Sequence, residues 1–200
     1  MKEIIKSLKK GDSKDELSKE QIKHLASFGE VFAYELKNYL NSISVEQKTV
    51  HLTTVAQITY DEFGKHPQPS YYMILDPFVF ELETQVFDNL FLHIDRNKNK
   101  APSIEPTKTD LEIFRQIFMG KIKEIFSNVV MKKFIDDKDR VYNCFGGVNA
   151  GIPKDELGVM LQFLVEASEL KDDLNGGCFN VFISLKDYLN VFESVIKEKF

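Results

Sequence analysis

Five consecutive polar residues, Asp95, Arg96, Asn97, Lys98 and Asn99, come nearest in this sequence to a ligand-binding motif. Side-chain oxygens at alternate positions between two helical stretches imitate the opening of an EF-hand calcium loop. That loop also needs Gly at its sixth position and a bidentate Glu at its twelfth, and Lys100 and Pro106 stand there instead. The segment is read as a charged, solvated loop without a metal. His24, His51, His66 and His93 are scattered, with no HExxH and no i,i+4 pair, so zinc and histidine catalysis are not indicated. Cys144 and Cys178 lack CxxC spacing and read as reduced, structural thiols. Gly146-Gly147 and Gly176-Gly177 lack the helix and spacing of a phosphate loop and read as turn glycines. Hydroxyls and thiols form no legible nucleophile–base set, and no cofactor is expected. Glu35 and Asn38 sit three apart in a helical stretch. With Leu36 at the centre of its apolar stripe, ~100° per residue turns both toward the outward face.

The elements that must carry these residues are marked by periodicity. Ser18 with Gln21 forms a capping box. Behind it Ile22, Leu25, Phe28, Phe32, Leu36, Tyr39, Leu40 and Ile43 recur at helical spacing, predicting an amphipathic helix to about Ser42. Strands are expected over Lys48–Ile58 and Ser70–Leu75, separated by Gly64, Pro67 and Pro69. After Asp76-Pro77 a helical pattern is read through Phe80, Phe87, Leu90 and Phe91, followed by a polar loop over Asp95–Lys108. Thr109 opens a second long helix with Leu111, Phe114, Phe118, Ile122, Ile125 and Val129 as its stripe. A short strand near Val141–Phe145 precedes Leu157, Val159, Leu161, Phe163, Val165 and Ala167. Their strict alternation is the cleanest strand signal in the chain. Asn175-Gly176-Gly177 turns the chain into Cys178–Ser184, and a last helix runs through Leu185, Leu189, Phe192 and Ile196.

This order, helix–strands–helix given twice, predicts an α+β domain with long helices packed on an antiparallel sheet. The division is a flexible or weakly helical lead-in over residues 1–16, then one domain over 17–200 with pseudo-repeats at about 17–94 and 109–200. The net charge of −5 with mixed signs gives no footprint for nucleic acid. No apolar run reaches the ~20 residues of a membrane span, and no signal peptide is marked, so a cytoplasmic location is expected. Of the 17 Phe, Phe78, Phe145 and Phe200 fall outside a clear stripe, which raises the expectation of an exposed aromatic patch.

Three stretches carry a family resemblance. Leu17–Leu25 running on through Phe28–Leu36 is similar to the opening helix of the middle domain of the flagellar motor switch protein FliM. Thr54-Val-Ala-Gln-Ile-Thr-Tyr-Asp-Glu-Phe63 resembles the "V-x-Q-[LI]-T-Y-x-E-F" stretch of that family. Pro153–Leu157, leading into the alternating strand, the Asn175–Leu185 hairpin and the final helix, follows the same order. The resemblance covers roughly 17–200 and implies a pseudo-two-fold module of the kind shared with CheC and CheX. It further implies a non-catalytic wall element of the cytoplasmic switch ring at the flagellar basal body. There it would contact FliG and neighbouring FliM-like and FliN-like subunits, with CheY as a further partner, and link chemotaxis to rotation.

The sequence departs from the family at several points. Phe91–Lys100 lacks the Gly-Gly-x-Gly loop that grips FliG, and 95–99 is the corresponding candidate contact. The stretch from Phe63 to Asp76 is short for the family's extra hairpin. The sequence ends at Phe200, before a FliN-like domain, and 1–16 lacks the acidic-hydrophobic peptide that captures phosphorylated CheY. The alternative the resemblance raises is a CheC-type phosphatase, in which Glu35 would meet a Lys of CheY and Asn38 would orient the attacking water. Against it, the second repeat offers Glu124 and Asn128 at the wrong spacing, and Val31 stands where that motif has Asp or Ser.

Overall fold

The computed structural model of the chain describes residues 16–43, 47–65, 70–75, 77–87, 109, 112–113, 115–129, 141–145, 151–167 and 176–200. Helix α1, Lys19–Ile43, starts where the capping box places it. Gln21 N–H donates to Ser18 Oγ at 3.2 Å, and Ser18 N–H donates to Gln21 Oε1 at 2.6 Å. Its buried face is the predicted stripe, with Leu25, Phe28, Phe32, Leu36, Tyr39 and Leu40 turned inward. At its far end the Asn41 carboxamide brackets Lys48, accepting from the N–H at 2.6 Å and donating to the carbonyl at 3.1 Å. That clamp sets where the first strand begins.

Strands β1 (Lys48–Thr59), β2 (Ser70–Leu75), β3 (Phe78–Glu83), β4 (Val141–Phe145), β5 (Leu157–Ala167) and β6 (Gly177–Ser184) form one antiparallel sheet in the order β1-β5-β6-β3-β2-β4. Exchanging β1, β2 and β3 for β4, β5 and β6 leaves that order unchanged. The two halves are therefore related by a pseudo-two-fold axis between β3 and β6. Helix α2 (Tyr60–Phe63) follows β1, and a helical turn over 84–87 follows β3. A π-helical segment Arg115–Met119 runs into α3 (Gly120–Val129). The chain closes through α4 (Leu185–Asp187), a second π-helical segment Tyr188–Phe192, and α5 (Glu193–Lys199). No helix among the described residues is long and apolar enough to cross a membrane.

One face of the sheet is covered by α1, α3 and the C-terminal helical run, and their rings form a single aromatic core. Phe32 lies at its centre, 4.9 Å from Phe126, 5.2 Å from Phe163, 6.1 Å from Phe28 and 6.2 Å from Phe179. Helix α1 can approach β1 closely because Gly29 faces Leu52; a Cβ there would stand 2.8 Å from Leu52 Cδ2. A smaller core of Tyr60, Phe63, Tyr72, Val79 and Phe182 covers part of the opposite face.

The structure corrects three sequence expectations. Phe80 is not helical: Phe78, Phe80 and Leu82 alternate along β3, which is hydrogen-bonded on both sides, to β2 and β6. A strand buried on both faces carries few polar breaks, so its spacing also suits a helix. Leu189 does not continue the last stripe. The π-helical segment advances the phase, so Tyr188 and Phe192 are buried and Leu189 is exposed. The expected aromatic patch is not formed by Phe78 or Phe200. Phe78 is buried 4.9 Å from Phe126, and Phe200 packs on the core edge-on to Phe28 at 6.3 Å. The Phe145 side chain lies outside the described residues.

Candidate functional site

Among the described residues, three places are candidates for a site. The first is the outward face of α1, where Val31, Tyr34, Glu35 and Asn38 stand at i, i+3, i+4 and i+7 on one line. Tyr34 is 60% exposed and Val31 38%, Asn38 is exposed, and Glu35 is half-buried. The structure thus brings the two sequence-singled residues together on an accessible stripe, beside an unburied aromatic ring. That mixture of ring, methyls, carboxylate and carboxamide suits docking of a protein surface. Residues 95–99 lie outside the described residues.

The second is a row of side chains crossing five strands of the sheet on the face away from α1. In register these are Thr54, Gln162, Asn180, Glu81 and Tyr72. At its centre the fully buried Glu81 carboxylate accepts from Tyr72 Oη–H at 2.9 Å and from Asn180 Nδ2 at 2.7 Å. Two residues along β3, Glu83 accepts the Cys178 N–H at 2.8 Å. Sequence reading missed this row because its neighbouring members are 9 to 108 residues apart and meet only through strand register. The local signal was present in Glu81 and Asn180, polar residues inside otherwise apolar strands.

Burial first, then the Glu83 and Glu81 carboxylates, push the Cys178 thiol from its ordinary 9.0 to about 11. A proton held more tightly in the folded chain stabilises it below the unfolded pKa, and that contribution is lost as pH rises through the folded value. Stability is therefore expected to fall between about pH 9 and pH 11. Tyr72 and Tyr188, both raised above 10.0 by burial, extend the loss to higher pH. Urea titrations across that range check this, and Cys178→Ser should show a shallower fall. Iodoacetamide at pH 8 should label native Cys178 slowly and denatured Cys178 fast.

The third is a cleft of about 540 Å³ lined by Pro153, Asp155, Glu156, Leu157, Leu185, Lys186 and Leu189. Its wall is rigidly held. Tyr60 N–H donates to the Glu156 carbonyl at 2.9 Å and Asp61 N–H to the Lys154 carbonyl at 2.8 Å, while Ser184 Oγ caps Asp187 N–H at 3.1 Å. Among the described residues no cluster of His, Cys, Asp and Glu could hold a metal ion.

These bonds also explain the stretch Thr54–Phe63. Gln57 Oε1 accepts the Leu17 N–H at 3.0 Å, and Thr59 with Glu62 forms a capping box at 3.2 and 2.8 Å. Tyr60 and Phe63 bury their rings against Phe182, at 5.3 and 5.1 Å. Each of these side chains has a structural duty.

No family model and no curated protein matches the chain. Solved structures do. The FliM middle domain from H. pylori matches with a TM-score of 0.61 at 22% identity, over 91% of this chain and 99% of that chain. The fold is that of FliM middle domains. The FliG-FliM complex from H. pylori matches with a TM-score of 0.61 at 18% identity, over 90% of this chain and 100% of that one. FliY from Thermotoga maritima matches with a TM-score of 0.61 at 14% identity, over 92% and 99%. In the FliM middle-domain fold of this chain, the Thr54–Phe63 and Pro153–Leu157 stretches singled out in the sequence lock onto each other through α2. The pseudo-two-fold symmetry expected from the resemblance is present in the strand order.

Proposed function

We propose that this chain is a non-catalytic assembly module of a flagellar motor switch, which binds FliG and packs beside FliM-like or FliN-like subunits in a cytoplasmic ring. The observation that supports this best is the match, over 90% of this chain, to a chain of the FliG-FliM complex from H. pylori, together with the three sequence stretches similar to FliM. In this reading Asp95, Arg96, Asn97, Lys98 and Asn99 replace the missing glycine loop as the FliG contact. A charged loop would then bind with more salt dependence than a glycine loop, because Arg96 and Lys98 interact through screened charge.

Calorimetric titration of the purified chain against the FliG middle domain tests the reading. Micromolar or tighter binding is expected, with Arg96→Ala and Lys98→Ala each weakening it about 3- to 10-fold, the scale of ~1 kcal/mol for a rim charge. No detectable binding at moderate salt would remove the FliG role. The phosphatase reading rests on Glu35 and Asn38 alone and is tested in the same preparation. Phosphate loss from phosphorylated CheY is expected to proceed unchanged by the wild-type chain. Acceleration abolished by Asn38→Ala would reverse that assignment.

A further inference from the structure

Two backbone hydrogen bonds give the C-terminal run an uneven spacing. Tyr188 N–H donates to the Leu185 carbonyl, three residues back, and Glu193 N–H donates to the Tyr188 carbonyl, five residues back. From Leu185 to Glu193 the backbone thus makes one tight turn and one wide turn, with Tyr188 at the junction. The same interval divides equally into two ordinary α-turns of four residues, with Leu189 at the junction instead. Neither end has to move, and the two bonds are exchanged for two others.

The side chains pull in both directions. Tyr188 is fully buried with its ring 6.3 Å from Phe192, but its Oη lies buried without a hydrogen-bond partner among the described residues. A buried hydroxyl left unpaired is costly. Beside it Leu189, which needs no partner, stands 44% exposed. With Leu189 at the junction, Leu185, Leu189, Phe192 and Ile196 form one unbroken apolar stripe at α spacing. One arrangement keeps the larger ring in the core, and the other buries the leucine and returns the phenol to water.

We infer that the run from Leu185 to Glu193 is a two-register element: a slip of one residue exchanges Tyr188 and Leu189, so that Leu189 enters the core and the Tyr188 hydroxyl reaches the surface. Both ends of the run are held. Ser184 Oγ caps Asp187 N–H at 3.1 Å, and beyond the run Glu193 Oε1 accepts from Gln21 Nε2 of α1 at 2.8 Å while Phe192 packs edge-on to Phe28 at 5.1 Å. The exchange is therefore local, and it presents either a leucine or a phenol on a fixed scaffold. Any partner that favours one of the two surfaces shifts the populations toward it. The inference is independent of any FliG contact.

Fluorine NMR of the full chain labelled with meta-fluorotyrosine tests it, with the Tyr188 resonance assigned by its loss in Tyr188→Phe. That resonance should show relaxation dispersion on the μs–ms timescale, with a minor state of about 1–10%. Leu189→Asp should abolish the dispersion, because a carboxylate cannot take the core position. A second measurement uses Leu189→Cys with Cys144→Ser and Cys178→Ser. Adding Tyr188→Gln should leave the chain folded in the other register and slow iodoacetamide labelling at position 189 on the order of ten-fold. A flat dispersion profile for Tyr188 would overturn the inference. So would dispersion that survives Leu189→Asp, since Leu189 would then not be the side chain exchanged. Unfolding of Tyr188→Gln, or labelling at 189 that is not slowed, would overturn it as well, because Leu189 would have failed to replace the ring.

Discussion

Phe32→Ala should lower the stability of the folded chain by about 3–5 kcal/mol, the range for emptying a buried ring position that cannot collapse. The reason lies in what surrounds it. Phe32 is fully buried, and its ring meets Phe28 from the same helix, Phe126 from α3, Phe163 from β5 and Phe179 from β6. Four elements of both pseudo-repeats thus converge on one side chain. The aromatic neighbours are rigid and mutually wedged, so they close a cavity poorly. Urea denaturation followed by circular dichroism measures the loss, and the denaturant slope should stay near the wild-type value. A double-mutant cycle with Phe126→Ala should show coupling, because the 4.9 Å pair shares one void. A loss of only about 0.5 kcal/mol, the scale of a surface change, would mean that the aromatic cluster is not the main core.

Gly158→Ala should be the most damaging addition of a single methyl group, costing about 1–3 kcal/mol or more through overpacking. A Cβ at this position would stand 2.1 Å from Phe182 Cζ, 2.4 Å from Phe182 Cε2 and 2.6 Å from the Ile183 carbonyl oxygen. The last of these is backbone on the neighbouring strand and cannot step aside without breaking the β5–β6 ladder. The Phe182 ring is itself pinned under Tyr60 and Phe63, at 5.3 and 5.1 Å. Thermal unfolding of Gly158→Ala beside Gly120→Ala separates this from a generic glycine effect. Gly120 has open space around its Cβ position and lies in a helix, so alanine there should be neutral or mildly stabilising. In a Phe182→Leu background the Gly158→Ala cost should shrink but not vanish, since the carbonyl clash remains. An unchanged cost would place the strain wholly in the backbone.

The elements legible in the sequence are those whose signal is local. The Ser18–Gln21 box and the stripe from Leu25 to Leu40 define α1 because capping and the 3.6-residue period are both read within one helix. The alternation from Leu157 to Ala167 and from Phe179 to Ile183 marks β5 and β6 for the same reason. The stretches Thr54–Phe63 and Pro153–Leu157 pointed to the FliM resemblance, and the fold bears that out. Of the residues weighed for chemistry, Glu35 and Asn38 were placed on one outward face by helical geometry alone, and the structure agrees.

Tertiary structure decided the rest, in each case because the deciding partner is distant in sequence. Phe78–Glu83 is a strand because β2 and β6 pair with it on either side, which no local spacing encodes. Leu189 faces outward because a π-helical turn lets Tyr188 and Phe192 reach the aromatic core together. Glu81, Asn180 and Tyr72 become one buried hydrogen-bonded row only when strand register aligns them, and Glu81 and Asn180 are 99 residues apart. The cleft beside Leu157 exists only where the starts of β5 and α4 meet. Periodicity specifies which face of an element is buried, whereas register and packing specify what that face is buried against.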